Sequence, residues 1–193
     1  MKKVFLMLLF TVASLAFASQ SASAQMSMNK MDSMNPMVGG ATMLRSRDIV
    51  DNAVNSADHT TLVAAVKAAG LVDTLKSKGP FTVFAPTNEA FDKLPAGTVD
   101  NLVKPENKAT LTKILTYHVL AGNFDSKAIA KRIQQGHGTA RFKTLSGDTL
   151  TAMMNGNDLI LRDEKGGTSR VTIGNVYQSN GVIHVVDSVL LPN

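Results

Sequence analysis

The sequence predicts an α+β fold, and two observations support that prediction. Helical patterns fill the chain from residue 48 to about residue 133, whereas short strand-like runs separated by glycine-rich turns fill residues 141–191. Helices that come first and strands that come last are typical of an α+β domain, because a doubly wound sheet needs the two in alternation. Asn180-Gly181 favours a two-residue hairpin turn, so we expect neighbouring strands to be antiparallel.

A strand that runs directly into a helix lies near the middle of the chain. Phe81–Ala85 is a short apolar run, which predicts a strand buried on both faces. Pro86 must end this strand because proline lacks the N–H that a sheet ladder needs. Thr87 has a hydroxyl that caps a helix starting at Asn88. The apolar side chains of that helix are spaced to pack on the core, and they are Ala90, Phe91 and Leu94.

Three short helical segments are expected before this strand. Asp48 caps the first, and either Thr60 or Thr61 caps the second. Gly70 ends the second in the left-handed conformation that glycine adopts readily. A third turn runs from Val72 to Ser77. The first helix has an apolar face, formed by Ile49, Val50, Ala53 and Val54.

Two longer helices and a series of strands are expected after it. Pro105 opens a helix that reaches about Thr116, and Tyr117–Leu120 follows as a short strand. Asp125 or Ser126 then caps the last helix. The remaining strands are short runs between glycine-containing turns: Arg141–Leu145, Thr149–Met154, Leu159–Arg162, Val171–Tyr177, Val182–Val186 and Val189–Leu191.

The N-terminus has the three parts of a secretory signal peptide. Lys2-Lys3 precedes an apolar run from Val4 to Ala18, and the small residues Ala22-Ser23-Ala24 follow. We expect residues 1–24 to be removed after Ala24, with cleavage after Ala18 as the alternative. A membrane anchor is disfavoured, because the run is shorter than the roughly 20 residues of a spanning helix. The formal net charge of +5 then drops by two, to +3, and we expect a secreted or periplasmic protein.

Residues 25–44 are polar, small and rich in methionine, which predicts a disordered arm. Thioether sulfur is a soft ligand that suits Cu(I), so a metal-binding arm is one interpretation and a flexible linker is the other. The methionines that a metal would use are Met26, Met28, Met31, Met34 and Met37.

The sequence holds no pattern typical of an enzyme. It has no cysteine, and its four histidines are not spaced as metal ligands usually are. A Gly-x-Ser-x-Gly elbow, a dinucleotide fingerprint and a phosphate loop are all missing from the printed sequence. No basic stripe with interleaved aromatic residues indicates nucleic-acid binding. We therefore expect a non-catalytic protein without a cofactor.

Three motifs resemble those of the fasciclin-like domain family. Thr82–Phe91 is similar to the first signature of that family, Gly181–Pro192 to the second, and Tyr117-His118 to its Tyr-His pair. The resemblance covers Ile49 to Pro192, so residues 45–193 are identified as a single fasciclin-like domain. It implies an antiparallel β-sandwich wedge flanked by several α-helices.

The resemblance also implies which positions matter. In animal members the Tyr-His pair is implicated in integrin-dependent adhesion, which makes Tyr117 and His118 candidate binding residues. The alternative is that Tyr117 packs in the core and His118 hydrogen-bonds backbone, holding the two signatures together. The signature positions with a structural role are Thr82, Phe84, Pro86, Thr87, Asn88, Phe91, His184 and Asp187. His184 and Asp187 lie three apart on a strand, which argues against a His–Asp couple.

A run of basic residues near the last helix is a further candidate site. It either binds anionic polysaccharide or lipid, or is a solvated helix face. Its members are Lys127, Lys131, Arg132, His137, Arg141 and Lys143.

Together these features predict an exported, monomeric, non-catalytic binding module, active in adhesion to a cell-surface or matrix protein or polysaccharide. The expectation of adhesion rests on the family resemblance. The alternatives are periplasmic copper or redox-stress handling through the methionine-rich arm, and an enzyme acting on cell-wall or polymer substrates.

Overall fold

The computed structural model describes residues 35–193. The predicted signal peptide, the arm up to residue 34 and four of its methionines, Met26, Met28, Met31 and Met34, lie outside the described residues. Within residues 35–193, no helix has the length and apolar character needed to cross a bilayer.

Helices occupy most of the first half of the described chain. They are α1 (Ile49–Ala53), α2 (Thr60–Ala69), α3 (Val72–Lys76), α4 (Asn88–Asp92), α5 (Thr98–Leu102), α6 (Lys108–Tyr117) and α7 (Ser126–Gln135), with 3-10 turns at Ala57–His59 and Pro105–Asn107.

The helix boundaries follow from capping side chains. The carboxylate of Asp48 accepts from the N–H of Asp51 at 2.8 Å, and that of Asp125 accepts from Ala128 at 2.8 Å. Gly70 ends α2 with a φ of 72°. The predicted caps at Asp48 and Asp125 and the glycine stop are therefore confirmed. Helix α2 is different, because neither Thr60 nor Thr61 caps it.

The predicted apolar face of α1 is wrong at one position. Val54 follows the helix and is 49% exposed, whereas Asn52 is buried. The side chain of Asn52 exchanges hydrogen bonds with the backbone of Leu44, at 3.0 and 2.7 Å, and donates to the amide oxygen of Gln178. A helix of five residues is too short to keep a regular apolar stripe, and these contacts bury a polar residue instead.

The strands are β1 (Met37–Val38), β2 (Ala41–Thr42), β3 (Phe81–Pro86), β4 (Val119–Ala121), β5 (Thr139–Lys143), β6 (Thr149–Asn155), β7 (Asp158–Arg162), β8 (Thr168–Gln178) and β9 (Gly181–Val186). The predicted strand Val189–Leu191 does not form, because Leu190 leaves the sheet and inserts into the core instead.

Seven of these strands form one mixed sheet in the order β4-β3-β9-β8-β7-β6-β5. One pair, β3 with β9, is parallel, with Phe81 opposite Gly181 and Pro86 opposite Val186, while the other neighbouring strands are antiparallel. The expectation of an antiparallel sheet is corrected here. A long crossover of helices and strands separates β3 from β9, which is what a parallel pair requires.

The sheet also nearly closes on itself. The two end strands meet where Leu120 of β4 bridges to Thr144, next to β5, and the N–H of Leu145 donates to the Val119 carbonyl at 2.8 Å. The expected sandwich wedge is therefore replaced by a nearly barrel-shaped sheet. One apolar core lies inside it under α7, and another lies between β3, β9 and the first helices.

The described end of the predicted arm belongs to the fold. Strands β1 and β2 pair as a small hairpin, and the Gly39 carbonyl between them accepts from the N–H of Ala57 at 3.0 Å. Val38 and Met43 are buried in the core, while Met37 is 63% exposed. The prediction of disorder is wrong for residues 36–44, because Val38 and Met43 have apolar surface to bury against α1.

Asn180 ties several elements together directly before the start of β9. Its amide oxygen accepts from the N–H of Ile49 at 3.0 Å, and its amide nitrogen donates to the carbonyls of Leu75 and Ser77 at 2.8 and 3.0 Å. Because Gln178 pairs with Gly181, the hairpin turn is Ser179-Asn180, one residue before the predicted one. A Cβ on Gly181 would lie 2.1 Å from the Phe81 carbonyl oxygen, so only glycine fits there.

We predict that Asn180→Ala lowers the free energy of unfolding by roughly 2–5 kcal/mol, because it leaves the buried Ile49 N–H and Leu75 carbonyl, and the partly buried Ser77 carbonyl, without this partner. Urea denaturation followed by circular dichroism measures this. Asn157→Ala, in an exposed turn, is the control and is expected to change stability by no more than about 0.5 kcal/mol. Equal stability of the two variants would contradict the role assigned to Asn180.

Candidate functional site

His118 connects the two signature segments through its ring and its backbone. It follows the last residue of α6 and is buried. Its Nε2 accepts from the N–H of Leu190 at 3.1 Å, so its Nδ1 carries the proton and donates to the Ile114 carbonyl at 2.9 Å. The His118 carbonyl accepts from the N–H of Phe84 at 2.9 Å. One residue thus joins the first signature to the second.

Tyr117 lies in the core inside the sheet. Its ring is fully buried and meets the His118 ring edge-on, with 6.3 Å between centroids. Its hydroxyl donates to the Thr149 carbonyl at 2.8 Å, and burial raises the pKa of Tyr117. A buried side chain does not reach a partner's surface. Both polar tips are used by backbone, as in the alternative in which Tyr117 packs in the core and His118 holds the two signatures together.

His184 occupies a second buried position, on β9. Its ring stacks on Phe84 at 5.6 Å between centroids. Its Nε2 donates to the Phe124 carbonyl at 2.9 Å, and its Nδ1 faces the N–H of Asn175 at 3.4 Å. Asp187 points elsewhere, since its carboxylate accepts from the Arg170 N–H at 2.9 Å. The two side chains form no His–Asp couple.

The polar residues of the first signature also bind backbone. The Thr82 hydroxyl donates to the Gly122 carbonyl and accepts from the N–H of Phe124, both at 2.8 Å. Thr87 caps α4 by accepting from the N–H of Ala90 at 3.2 Å. Pro86 ends β3, and Phe91 packs in the core beside the first helices.

Asn88 has a role that its place in the sequence did not reveal. Its amide oxygen accepts from the N–H of Thr61 at 3.0 Å and from the Thr60 hydroxyl at 3.2 Å, while its amide nitrogen donates to the Ala57 carbonyl at 2.8 Å. Asn88 therefore supplies the cap of α2 from another helix. Asn88 lies 27 positions after Thr61, so no pattern within α2 predicts this cap, and it becomes visible only in the folded structure.

The predicted basic run does not form one patch. Lys127 and Lys131 lie exposed on α7, which covers the inner face of the sheet beside Ala140 and Phe142. Arg141 and Lys143 alternate with those two residues on β5, so they point to the opposite face. Arg132 packs over the rings of Phe124 and Phe142, at 4.4 and 5.3 Å. The single-patch interpretation is wrong, and His137 lies exposed in the turn after α7.

An open polar groove lies on that opposite face. Arg141, Thr151 and Arg162 stand opposite one another across β5, β6 and β7, and the groove beside them has a volume of about 460 Å³. Arg141, Lys143 and Arg162 form no ion pair with another residue of the described chain. Arg162 was not singled out from the sequence, although its alternation with buried neighbours on a strand was a usable signal.

Two carboxylates border the same groove. Asp163 accepts from the N–H groups of Gly167 and Leu191, at 2.6 and 2.9 Å, and Glu164 accepts from that of Thr149 at 3.0 Å. Both are thus engaged by backbone. No three His, Cys, Asp or Glu side chains within residues 35–193 are placed to hold a metal ion together.

Comparison with known proteins identifies related sequences. A family model described as Fasciclin domain matches residues 57–192. Protein sll1483 of Synechocystis sp. is 48% identical over 146 residues, covering 75% of this chain and 73% of that protein. The immunogenic protein MPB70 of Mycobacterium bovis is 40% identical over 164 residues, covering 82% and 76%. The cell surface glycolipoprotein MPB83 of the same species is 38% identical, covering 82% and 67%.

A solved structure has the same fold. It is a FAS1 domain pair from the insect cell adhesion molecule fasciclin I, with a TM-score of 0.66 and 18% sequence identity. The match covers 75% of this chain and 51% of that one, so the chain spans about half the length of the domain pair.

We predict that stability falls with acid below about pH 6.5, the ordinary pKa of histidine. Burial lowers the pKa of His59, His118 and His184, so the unfolded chain binds protons more readily than the folded one. Stability is therefore complete above pH 6.5 and is lost as the pH falls, by about 1.4 kcal/mol per pH unit for each imidazole that protonates only on unfolding.

Urea denaturation between pH 7.5 and 4.5 measures this slope. We expect His118→Gln to be less stable at pH 7.5. Below pH 6.5 its free energy of unfolding should fall less steeply with pH, by an amount that corresponds to about one fewer proton taken up on unfolding. His137→Gln removes an exposed histidine and is the matched control. An equal slope in His118→Gln and the unaltered chain would overturn the prediction. Carboxylates affect stability at lower pH than the histidines do. The Ala128 N–H lowers the pKa of Asp125, so the stability that this carboxylate contributes is lost only below about pH 4.

Proposed function

The chain belongs to the fasciclin domain family, and from that membership we propose that it is an exported, non-catalytic binding module that attaches to an acidic polysaccharide of a cell surface or matrix. The observation that carries the proposal is the polar groove on the outer face of β5, β6 and β7, defined by Arg141, Thr151 and Arg162.

The use of the buried polar side chains supports binding over catalysis. The Tyr117 hydroxyl and the ring nitrogens of His118 and His184 form hydrogen bonds with backbone groups of neighbouring segments. Side chains held in this way stabilise the fold and are not offered to a substrate. What the outer sheet face offers instead is charge on long, exposed side chains.

The groove places its cations in a regular row. Neighbouring strands are about 4.8 Å apart, so Arg141 and Arg162 stand roughly 10 Å apart with Thr151 between them. Thr168 of β8 continues the row beside Arg162. Guanidinium groups bind carboxylates with two parallel hydrogen bonds, and the threonine hydroxyls add donors between them.

The surroundings of the row favour a hydrophilic polyanion. No aromatic side chain lines the groove, whereas protein interfaces usually need a buried aromatic or apolar anchor. A flat anionic membrane would also meet the exposed carboxylate of Glu164, which lines the groove and repels it. A single polymer chain is narrow enough to follow the row from Arg141 to Arg162, and Asp163 beside it is buried and bonded to backbone. An acidic polysaccharide therefore fits better than a protein or a lipid surface.

We predict that the double variant Arg141→Ala/Arg162→Ala binds an alginate matrix at least about tenfold more weakly than the unaltered chain, a loss equivalent to about 1.4 kcal/mol. The loss follows from removing two charge-assisted contacts. Affinity chromatography with a salt gradient, followed by titration calorimetry, measures it.

Lys127→Ala/Lys131→Ala is the matched control, because it removes the same charge from the opposite side of the sheet. It is expected to bind as the unaltered chain does. Equal losses of alginate affinity in the two double variants would indicate non-specific electrostatic attraction and would contradict the assignment of binding to the groove. Retention on anionic vesicles or on an acidic protein without retention on alginate would overturn the choice of polysaccharide.

A further inference from the structure

The dipeptide Asn-Gly occurs twice in the chain, at Asn155-Gly156 and at Asn180-Gly181. In this dipeptide the backbone nitrogen of the second residue attacks the asparagine side chain readily, because glycine has no Cβ to hinder the approach. The sequence alone therefore predicts similar reactivity at the two places. The structure puts them in opposite environments.

Asn180-Gly181 is held by contacts on both of its residues. The Asn180 side chain is buried and binds three backbone groups through its amide oxygen and nitrogen. Gly181 belongs to β9 and lies so close to the Phe81 backbone that no Cβ fits beside it. The attack would require both residues to leave these positions, which would break the pairing of β9 with β3. Asn180 is thus protected for as long as the domain is folded.

Asn155-Gly156 lies at the exposed tip of the hairpin that joins β6 to β7. Asn155 ends β6 and faces Asp158, the first residue of β7, across a two-residue turn. Both Asn155 and Gly156 are exposed, and neither the Asn155 amide nor the Gly156 N–H bonds another residue within residues 35–193. A Cβ on Gly156 would meet nothing within 4 Å. Opening of the last pair of the ladder therefore brings the Gly156 nitrogen to the Asn155 side chain without unfolding the domain.

We propose that Asn155 is a site of spontaneous deamidation and isoaspartate formation in the folded protein. The Gly156 nitrogen loses its proton and forms a bond to Cγ of Asn155, while the Cγ–Nδ2 bond breaks and the side-chain nitrogen leaves as ammonia. The product is a cyclic imide. Addition of water at the main-chain carbonyl opens it to isoaspartate, and addition at Cγ opens it to aspartate. Water is the only co-reactant, and nothing is oxidised or reduced.

The modification changes the charge of the domain and leaves its fold intact. Either product has a carboxylate in place of a neutral amide, so the net positive charge drops by one. Isoaspartate also adds a methylene group to the main chain, and the hairpin tip has solvent in which to place it. The same change at Asn180 would displace the groups that hold α1 and α3. The proposal goes beyond attachment to a polysaccharide and does not depend on it.

The test follows both Asn-Gly pairs in one sample of the purified protein, kept for several weeks at mildly alkaline pH. Trypsin releases them on separate peptides, residues 144–162 and 171–193, and mass spectrometry measures the conversion of amide to acid in each. In the folded protein we expect Asn155 to convert at least about tenfold faster than Asn180, since only Asn180 has to wait for unfolding. In guanidinium chloride above the unfolding transition, we expect the two rates to agree within about twofold. Equal rates in the folded protein, or an unchanged Asn155, would overturn the proposal.

Two variants test which residue reacts. Asn155→Gln lengthens the side chain by a methylene group and disfavours ring closure, so we expect it to abolish most of the acidic form that ion-exchange chromatography separates. Asn157→Gln alters the exposed asparagine on the other side of Gly156 and is the matched control, expected to leave that form unchanged. An isoaspartyl methyltransferase with a labelled methyl donor is expected to label the aged unaltered chain and aged Asn157→Gln, but not aged Asn155→Gln. Labelling of all three to the same extent would contradict the assignment to Asn155.

Discussion

The parallel pairing of β3 with β9 is the constraint on which the rest of the structure depends. Both strands are buried, so the polar groups at their ends and edges have no water to bind and need partners within the protein. Asn180 meets this need at the start of the pair, where it binds α1 and the end of α3. His118 meets it along β3, and His184 on β9 binds the segment that precedes α7. The helices are therefore held to the sheet by hydrogen bonds to buried side chains as well as by apolar contact.

This constraint explains why polar residues of the family signatures, such as Thr82 and His118, are buried. Thr82, Asn88 and His118 each connect segments that are far apart in sequence. Each of these side chains bonds backbone groups of another segment, and Asn88 also accepts from the Thr60 hydroxyl. Side chains used in this way leave partner recognition to exposed surfaces, and the proposed site on the outer face of β5, β6 and β7 is such a surface.

Local physics made much of the fold predictable. The buried run Phe81–Ala85, the proline stop, the threonine cap and the glycine at the end of α2 each act over a few residues, so the sequence alone indicated them. The parallel pairing and the near closure of the sheet were not predictable, since both depend on contacts between distant segments. The basic run was misjudged for a related reason. Arg141 and Lys127 are close in the chain, but the pleat of β5 sends the arginine away from the helix. Arg162 was missed because its partners in the groove lie on two other strands.

The small hairpin at the start of the described chain has a consequence for oxidation chemistry. Met37 is exposed on it, whereas Met43, only six positions later, is buried against the core. An oxidant therefore converts Met37 to the sulfoxide without disturbing the packing, while Met43 reacts only when the hairpin lifts from α1. A sulfoxide at Met43 places a larger, polar group in the packed core, so that single modification would keep the hairpin detached. The ratio of the two sulfoxides thus records how often this part of the domain opens.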